Sequence, residues 1–254
     1  MAVPSEPDPS GPEAESRVER KRRERRRRFV DAAKRIVADE GFDALTMQRL
    51  ADDLDMAVSA VYRYFDSKGA LVREVQIEAT EQLTRSLDAS RARFEEMADG
   101  RGPAAGSPER ALARVVLVGR WFCTAQTAFP EDLRLLQMIM SRRSSVLDDG
   151  GGWAVLPVAM ELVGRVVAVV EAAQMAGALD EGVALDRGLV WATALSGVLQ
   201  ADDLEQYAPD LFGGSRLAFL ANLDLVRGWG APAELLARAD AFVDEVAAVQ
   251  PLAP

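Results

Sequence analysis

This sequence predicts an all-α protein, with a small three-helix unit near the N-terminus and a larger helical domain behind it. Three observations carry the prediction. Apolar residues recur at helical spacing through nearly every segment, and no stretch sustains the two-residue alternation of a strand. Breaks rich in Gly and Pro divide the rest into helix-length pieces. No internal repeat is visible.

Residues 1–19 are rich in Pro, Ser and Glu and lack an apolar run, so they read as a disordered acidic tail rather than a signal peptide. Residues 20–28, RKRRERRRR, form a basic arm with eight Arg and Lys residues around Glu24. From there Phe29, Ala32, Ala33, Ile36 and Val37 draw the stripe of an amphipathic first helix, and Gly41 supplies its stop. Thr46 is placed to cap a short second helix, MQRLADDLD, in which Leu50, Ala51 and Leu54 share a face. A third short helix, SAVYRYF, follows. Asp66 or Ser67 then caps a fourth that continues to about residue 97.

The polar run ADGRGPAAGSP at 98–108 reads as a linker. The larger domain, 109–250, is expected to hold helices at about 109–128, 131–147, 153–177, 183–206, 214–229 and 232–248. Pro130 and the breaks DDGGG, GALDEG, PDLFGG and WGAP separate them.

Composition narrows the chemistry. The 254 residues carry a net charge of −10, are 49% hydrophobic, and contain one cysteine, Cys123, and no histidine. Ser-His-Asp and Cys-His triads are thereby excluded, as are zinc sites built on His or on several thiols. No cofactor or metal is expected. Pairs such as Asp148–Asp149 and Asp202–Asp203 read as loop and helix-end charges, so the chain is not expected to be an enzyme. The most apolar stretch, from Trp153, is broken by Glu161, Arg165 and Glu171, and no membrane span is expected. A lone thiol suits a reducing cytoplasm, which is the expected location.

Helix, short helix, tight turn, short helix is the helix-turn-helix plan. At 100° per residue, Val61 and Phe65 point inward with Ile36, Leu50 and Leu54, while Ser59 and Arg63 point outward. Ala60 and Tyr62 flank the outer face and Tyr64 sits near its boundary. Such a helix fits the major groove, where Arg reads guanine and tyrosine hydroxyls suit phosphates. Lys68 adds a phosphate contact. The basic arm, with Arg25, Arg26, Arg27 and Arg28 nearest the first helix, reads as a solvated run or as a clamp for polyanions.

Phe29–Val75 resembles the DNA-binding domain of the tetracycline-repressor (TetR) family. The shared pattern runs through Ala33, Gly41, Thr46, Leu50-Ala51, Val61-Tyr62, Phe65, Lys68 and Leu71, about a fifth of the chain. The resemblance implies that Thr46 and Gln48 lie near the phosphates or groove edge. It places Val58, Ser59, Ala60, Arg63 and Tyr64 at recognition-helix contacts, with Tyr62 and Lys68 on phosphates. Asp55 stands where glycine is common and can adopt the left-handed turn conformation. Ala60 replaces a frequent hydroxyl, leaving a methyl for thymine, and Tyr64 replaces a frequent histidine.

The resemblance also implies a homodimer bound to a double-stranded DNA operator, with a larger domain for ligand binding and dimerisation. Repression relieved by ligand is the family default; an activator, a ligand-independent regulator and an adaptor that lost DNA binding are the alternatives. The expected dimer helices are 183–206 and 214–229, with Leu189, Leu195, Val198, Leu199, Leu217, Phe219, Leu220 and Leu223 as the apolar seam. A ligand pocket is expected among Trp121, Phe122, Gln126, Phe129, Met138, Met160, Gln174 and Met175, with Met140, Glu161 and Glu171 beside them. Adaptable methionine linings suit an apolar or aromatic small-molecule effector.

Overall fold

The computed structural model describes residues 17–140, 152–199, 207–208, 211 and 213–253. It divides into two compact units with the boundary between Asp66 and Ser67. Among the described residues every regular element is helical, and no helix is long and apolar enough to cross a membrane.

The first unit holds α1 (Arg17–Glu40), a 3-10 turn at Phe42–Ala44, α2 (Met47–Asp53) and α3 (Val58–Tyr62). The stripe expected on α1 is buried, Phe29 through Val37, and meets a core that includes Leu45, Leu50, Val61 and Phe65. Gly41 ends α1 at a φ of +84°, a conformation that favours glycine, and its N–H donates to the Val37 carbonyl at 3.1 Å. Thr46 Oγ1 accepts from the Arg49 N–H at 3.0 Å, capping α2. Asp55 makes the turn to α3 with a φ of +52°.

Two expectations about this unit are corrected. The 20–28 segment is not an arm hanging from the first helix but its beginning, since α1 runs unbroken from Arg17. Arg, Lys and Glu are good helix formers, so a helix anchored by Phe29 and Val30 propagates backward through them. The third helix is shorter than SAVYRYF. It closes at Tyr62, leaving Arg63 to Phe65 in the turn that follows.

The second unit comprises α4 (Lys68–Arg101), α5 (Pro108–Ala128), α6 (Pro130–Met140), α7 (Gly152–Met175), α8 (Ala184–Leu199), α9 (Gly214–Gly228) and α10 (Ala233–Val249). Ser67, rather than Asp66, caps α4, its Oγ accepting from the Ala70 N–H at 3.1 Å. Because α4 reaches Arg101, the expected linker shrinks to residues 102–107. The expected 1–16 part of the tail, the 141–147 end of the 131–147 helix, residues 148–151 of the DDGGG break and the 200–206 end of the 183–206 helix lie outside the described residues.

α5 is the spine of this unit. It is apolar on nearly every side, from Ala111 to Ala125, and α4, α6, α7, α9 and α10 all pack on it. Its one cation at the buried N-terminal turn, Arg110, donates to Glu95 at 2.7 Å and to Asp99 at 2.5 Å, while Arg114 meets Glu95 at 2.6 Å. Hydrogen bonds from Arg114 and Arg110 hold the Glu95 carboxyl below its usual range. Arg165 on α7 and Asp88 on α4 form a second, two-pronged pair.

Candidate functional site

In the first unit, the polar face falls where α2 and α3 pack together. Thr46, Gln48, Ser59, Tyr62 and Arg63 are exposed, and Tyr62 is 50% exposed despite its large apolar ring. Beneath them Ala60, Val61 and Phe65 are buried, so α3 is anchored along one side and open along the other. The surrounding cations are unequal. Arg49 is committed to Glu40 and Asp53, and Arg35 to Asp53, which ties α2 to α1. That pairing holds the Glu40 carboxyl below its ordinary value. Gln48 turns its amide along α2 to Asp52 at 2.8 Å.

Arg26 is the link between the basic segment and α3. Its Nη1 donates to the Tyr64 carbonyl oxygen at 3.2 Å and its guanidinium lies over the Phe65 ring. The Tyr64 ring leans on Phe29 at 5.1 Å, and Phe65 meets Phe29 edge-on. Arg25, Arg27 and Arg28 are exposed along α1. Lys68, half-buried, opens α4 in the second unit.

The second unit contains an apolar cavity of about 60 Å³ between α5, α6, α7 and α8. Trp121 and Phe122 line it, with Leu133, Leu162, Val166 and Trp191 among the facing residues. Phe122 and Trp191 meet edge-to-face at 5.4 Å. Both indole N–H groups are satisfied away from the space: Trp121 donates to Ser86 Oγ at 3.1 Å, and Trp191 to Asn222 Oδ1 at 2.8 Å. The Ser196 side chain is the polar group on the lining.

Residues 29–75, which contain the anchored α3 and its exposed polar edge, match the model for bacterial regulatory proteins of the tetR family. Over this stretch, about a fifth of the chain, the protein is similar to that family. The transcriptional repressor KstR of Mycobacterium tuberculosis is 48% identical over 46 residues, covering 18% of this chain and 21% of that protein. KstR of Rhodococcus jostii is 39% identical over 59 residues, covering 21% of this chain and 28% of that one. The chain thus matches about a fifth to a quarter of the length of these curated relatives. A TetR transcription regulator from Haloarcula marismortui shares the fold more widely, with a TM-score of 0.58, 17% identity, and coverage of 82% of this chain and 98% of that one. The TetR family is one of regulators, not enzymes.

Several of the expected site residues are buried or packed against neighbours. Ala60 is 8% exposed and faces the core. Ala60 stands 100° from the inward-facing Val61 and is small enough to be covered at the edge of the core, and Val58 is half-buried. Tyr64 packs against Phe29, and Arg26 is spent on the α3 end rather than held outward.

In the larger domain Met175 is 84% exposed and Met160 also faces outward, so neither lines the cavity. Gln174 donates to the Asp180 and Gly182 carbonyls and fixes the loop after α7. Gln126 and Phe129 are half-buried without lining the cavity, Glu161 and Glu171 are exposed, and the Met138 and Met140 side chains lie outside the described residues. Of the expected seam, Leu195 and Leu223 are buried within the unit, and Phe219 lies under the Arg120 guanidinium at 3.9 Å. Leu217 and Val198 are half-buried, Leu189 and Leu220 are exposed, and the Leu199 side chain is outside the described residues.

Sequence reasoning missed Leu133, Leu162, Val166 and Trp191. Their signal was present in the i, i+4 pair Leu162–Val166 and in an aromatic set in the stripe of α8, but these look like ordinary core until the helices are assembled.

Proposed function

We propose that this protein is a cytoplasmic, homodimeric transcriptional repressor that reads a double-stranded DNA operator through α3 and is released by a small apolar or aromatic molecule. The observation that carries the reading is the division of α3 and the turn that follows it: Val61 and Phe65 are buried while Ser59, Tyr62 and Arg63 are exposed. Arg63 then serves base edges and Ser59 the groove floor, with the Tyr62 hydroxyl, Thr46, Gln48 and Lys68 on phosphates. The naming of the KstR relatives as repressors supports the sign of control.

The basic start of α1 takes a definite role in this reading. A helix is about 10–12 Å across and the minor groove only about 6 Å wide, so the segment tracks phosphates rather than entering that groove. Residues 17–28 give it a reach of about 18 Å.

A single α3 reads too few base pairs for useful specificity, which calls for a two-fold dimer. Exposed Leu185, Leu189 and Val190 on α8, with Leu220 on α9, supply apolar surface for it. The cavity beside Trp121, Phe122 and Trp191 suits a neutral, largely apolar effector, whose binding would favour dimers with the two α3 helices wrongly spaced.

The test is a mobility-shift titration of the full chain on its own upstream DNA at physiological salt. Specific binding is expected, and loss of it in Arg63→Ala and Tyr62→Ala. Equal affinity for random DNA would overturn the reading in favour of an adaptor or a nonspecific polyanion binder.

A further inference from the structure

A second, chemically different cleft lies between α4 and the segment that ends α10. Ser90, Arg93 and Met97 share one face of α4, spaced as i, i+3 and i+7, and Val246, Val249 and residues 250–252 close the opposite wall. The cleft has a volume of about 230 Å³. Its interior is formed by Ser90, Met97, Val246 and Leu252, while Glu96, Val249 and Gln250 stand exposed at its mouth.

Two polar groups in it have capacity to spare. Ser90 is 1% exposed and its Oγ has no hydrogen-bond partner. Two other hydroxyls buried on α4 return to their own helix: Thr80 donates to the Gln76 carbonyl and Thr84 to the Thr80 carbonyl, both at 2.8 Å. Ser90 does not, so its O–H remains to be satisfied by something in the cleft. Arg93 is half-buried and donates through Nη1 to the Pro251 carbonyl at 3.2 Å. Its neighbours along the helix are neutralised, Arg85 by Glu78 and Glu81 and Arg91 by Asp88. Among the described residues no carboxylate lies within 4.0 Å of Arg93.

We infer that this cleft binds a small organic monocarboxylate with a short hydrocarbon body, at a site separate from the apolar cavity. The guanidinium fork matches a carboxylate in plane, and the Ser90 hydroxyl donates to the same group. Met97, Val246 and Leu252 cover the hydrocarbon. Glu96 at the mouth disfavours dianions, which sets a monocarboxylate apart from a phosphate ester. Neither Trp121 nor Phe122 lines this cleft, so the inference does not rest on the effector proposed above.

Isothermal titration calorimetry of the full chain with hexanoate, and with hexanol as the neutral analogue, tests it. One saturable site is expected for hexanoate, weakened at least tenfold in Arg93→Gln and several-fold in Ser90→Ala, with no saturation by hexanol. Leu162→Trp, which fills the apolar cavity, should leave hexanoate binding unchanged. Absence of a saturable site, equal binding to Arg93→Gln, or loss of binding in Leu162→Trp would each overturn the inference. Should Arg93→Gln fail to melt cooperatively by circular dichroism, Ser90→Ala decides, and unaltered hexanoate affinity in that variant overturns it.

Discussion

The Arg26 guanidinium carbon stands 4.8 Å from the centroid of the Phe65 ring, and its Nη1 reaches the Tyr64 carbonyl oxygen at 3.2 Å. A residue in the middle of a polybasic run is therefore turned inward, onto the residues that close α3. The carbonyls at a helix C-terminal end carry partial negative charge and lack intrahelical donors, and a cation there offsets both. Arg26 thus braces the end of α3.

This separates Arg26 from its neighbours in a salt titration of operator binding. Arg25→Ala and Arg27→Ala should each flatten the slope of log affinity against log salt by about 0.9, the value for one lost phosphate contact. Arg26→Ala should weaken binding while leaving the slope unchanged, and should lower stability by about 1–2 kcal/mol from the lost cation–π contact and hydrogen bond. A slope change in Arg26→Ala equal to that of Arg25→Ala would place Arg26 on the backbone after all.

Ser59 and Ala60 are adjacent in sequence and opposite in environment, one exposed and the other 8% exposed. Ser59→Ala should alter operator sequence preference with little effect on melting temperature. Ala60→Ser should do the reverse, since its hydroxyl is buried with no partner built for it, at about 1–3 kcal/mol of stability. Selection of bound sequences from a random pool, run on both variants, checks the division. A changed preference in Ala60→Ser would return position 60 to the reading face.

What the sequence made legible follows the range of the interactions involved. The α1 stripe, the Gly41 stop, the Thr46 cap and the Asp55 turn are decided within a few residues, and each appears where spacing predicts it. The fate of Arg26 depends on Tyr64 and Phe65, 38 and 39 positions on, so its run of like neighbours concealed it. The burial of Ala60 was hidden because helical phase puts it at the flank, 100° from Val61, where the width of the covering core and not the spacing decides exposure. The cavity was least legible. Adaptable side chains such as Met160 and Met175 looked suited to a lining, yet which apolar faces converge is set by four helices together.

Gly119 on α5 faces Asn222 on α9 so closely that a β-carbon at position 119 would overlap the Asn222 amide. Asn222 in turn accepts from the Trp191 indole at 2.8 Å, so this crossing fixes one wall of the apolar cavity. Gly119→Ala is expected to cost about 1–3 kcal/mol in urea unfolding, as overpacking does. Combined with Asn222→Ala it should cost less than the sum of the two single changes, with a coupling of about 0.5–3 kcal/mol. Strict additivity would mean that α5 and α9 separate freely at this point.

Cys123 lies on α5 with its thiol buried, and burial pushes its pKa from 9.0 up to about 11. The neutral thiol is thereby favoured in the folded state. Below pH 9 it is largely neutral in both states and costs nothing. Between about pH 9 and 11 the unfolded chain releases the proton and the folded one holds it, so this contribution to stability falls as pH rises. Native protein at pH 8 should accordingly resist a thiol-labelling reagent, while the urea-unfolded chain reacts readily. The variant Cys123→Ala should lose less stability between pH 8.5 and 10.5 than the wild type does. Rapid labelling of the native chain at pH 8, or identical pH profiles for the two proteins, would show that the thiol is not sealed inside α5's packing.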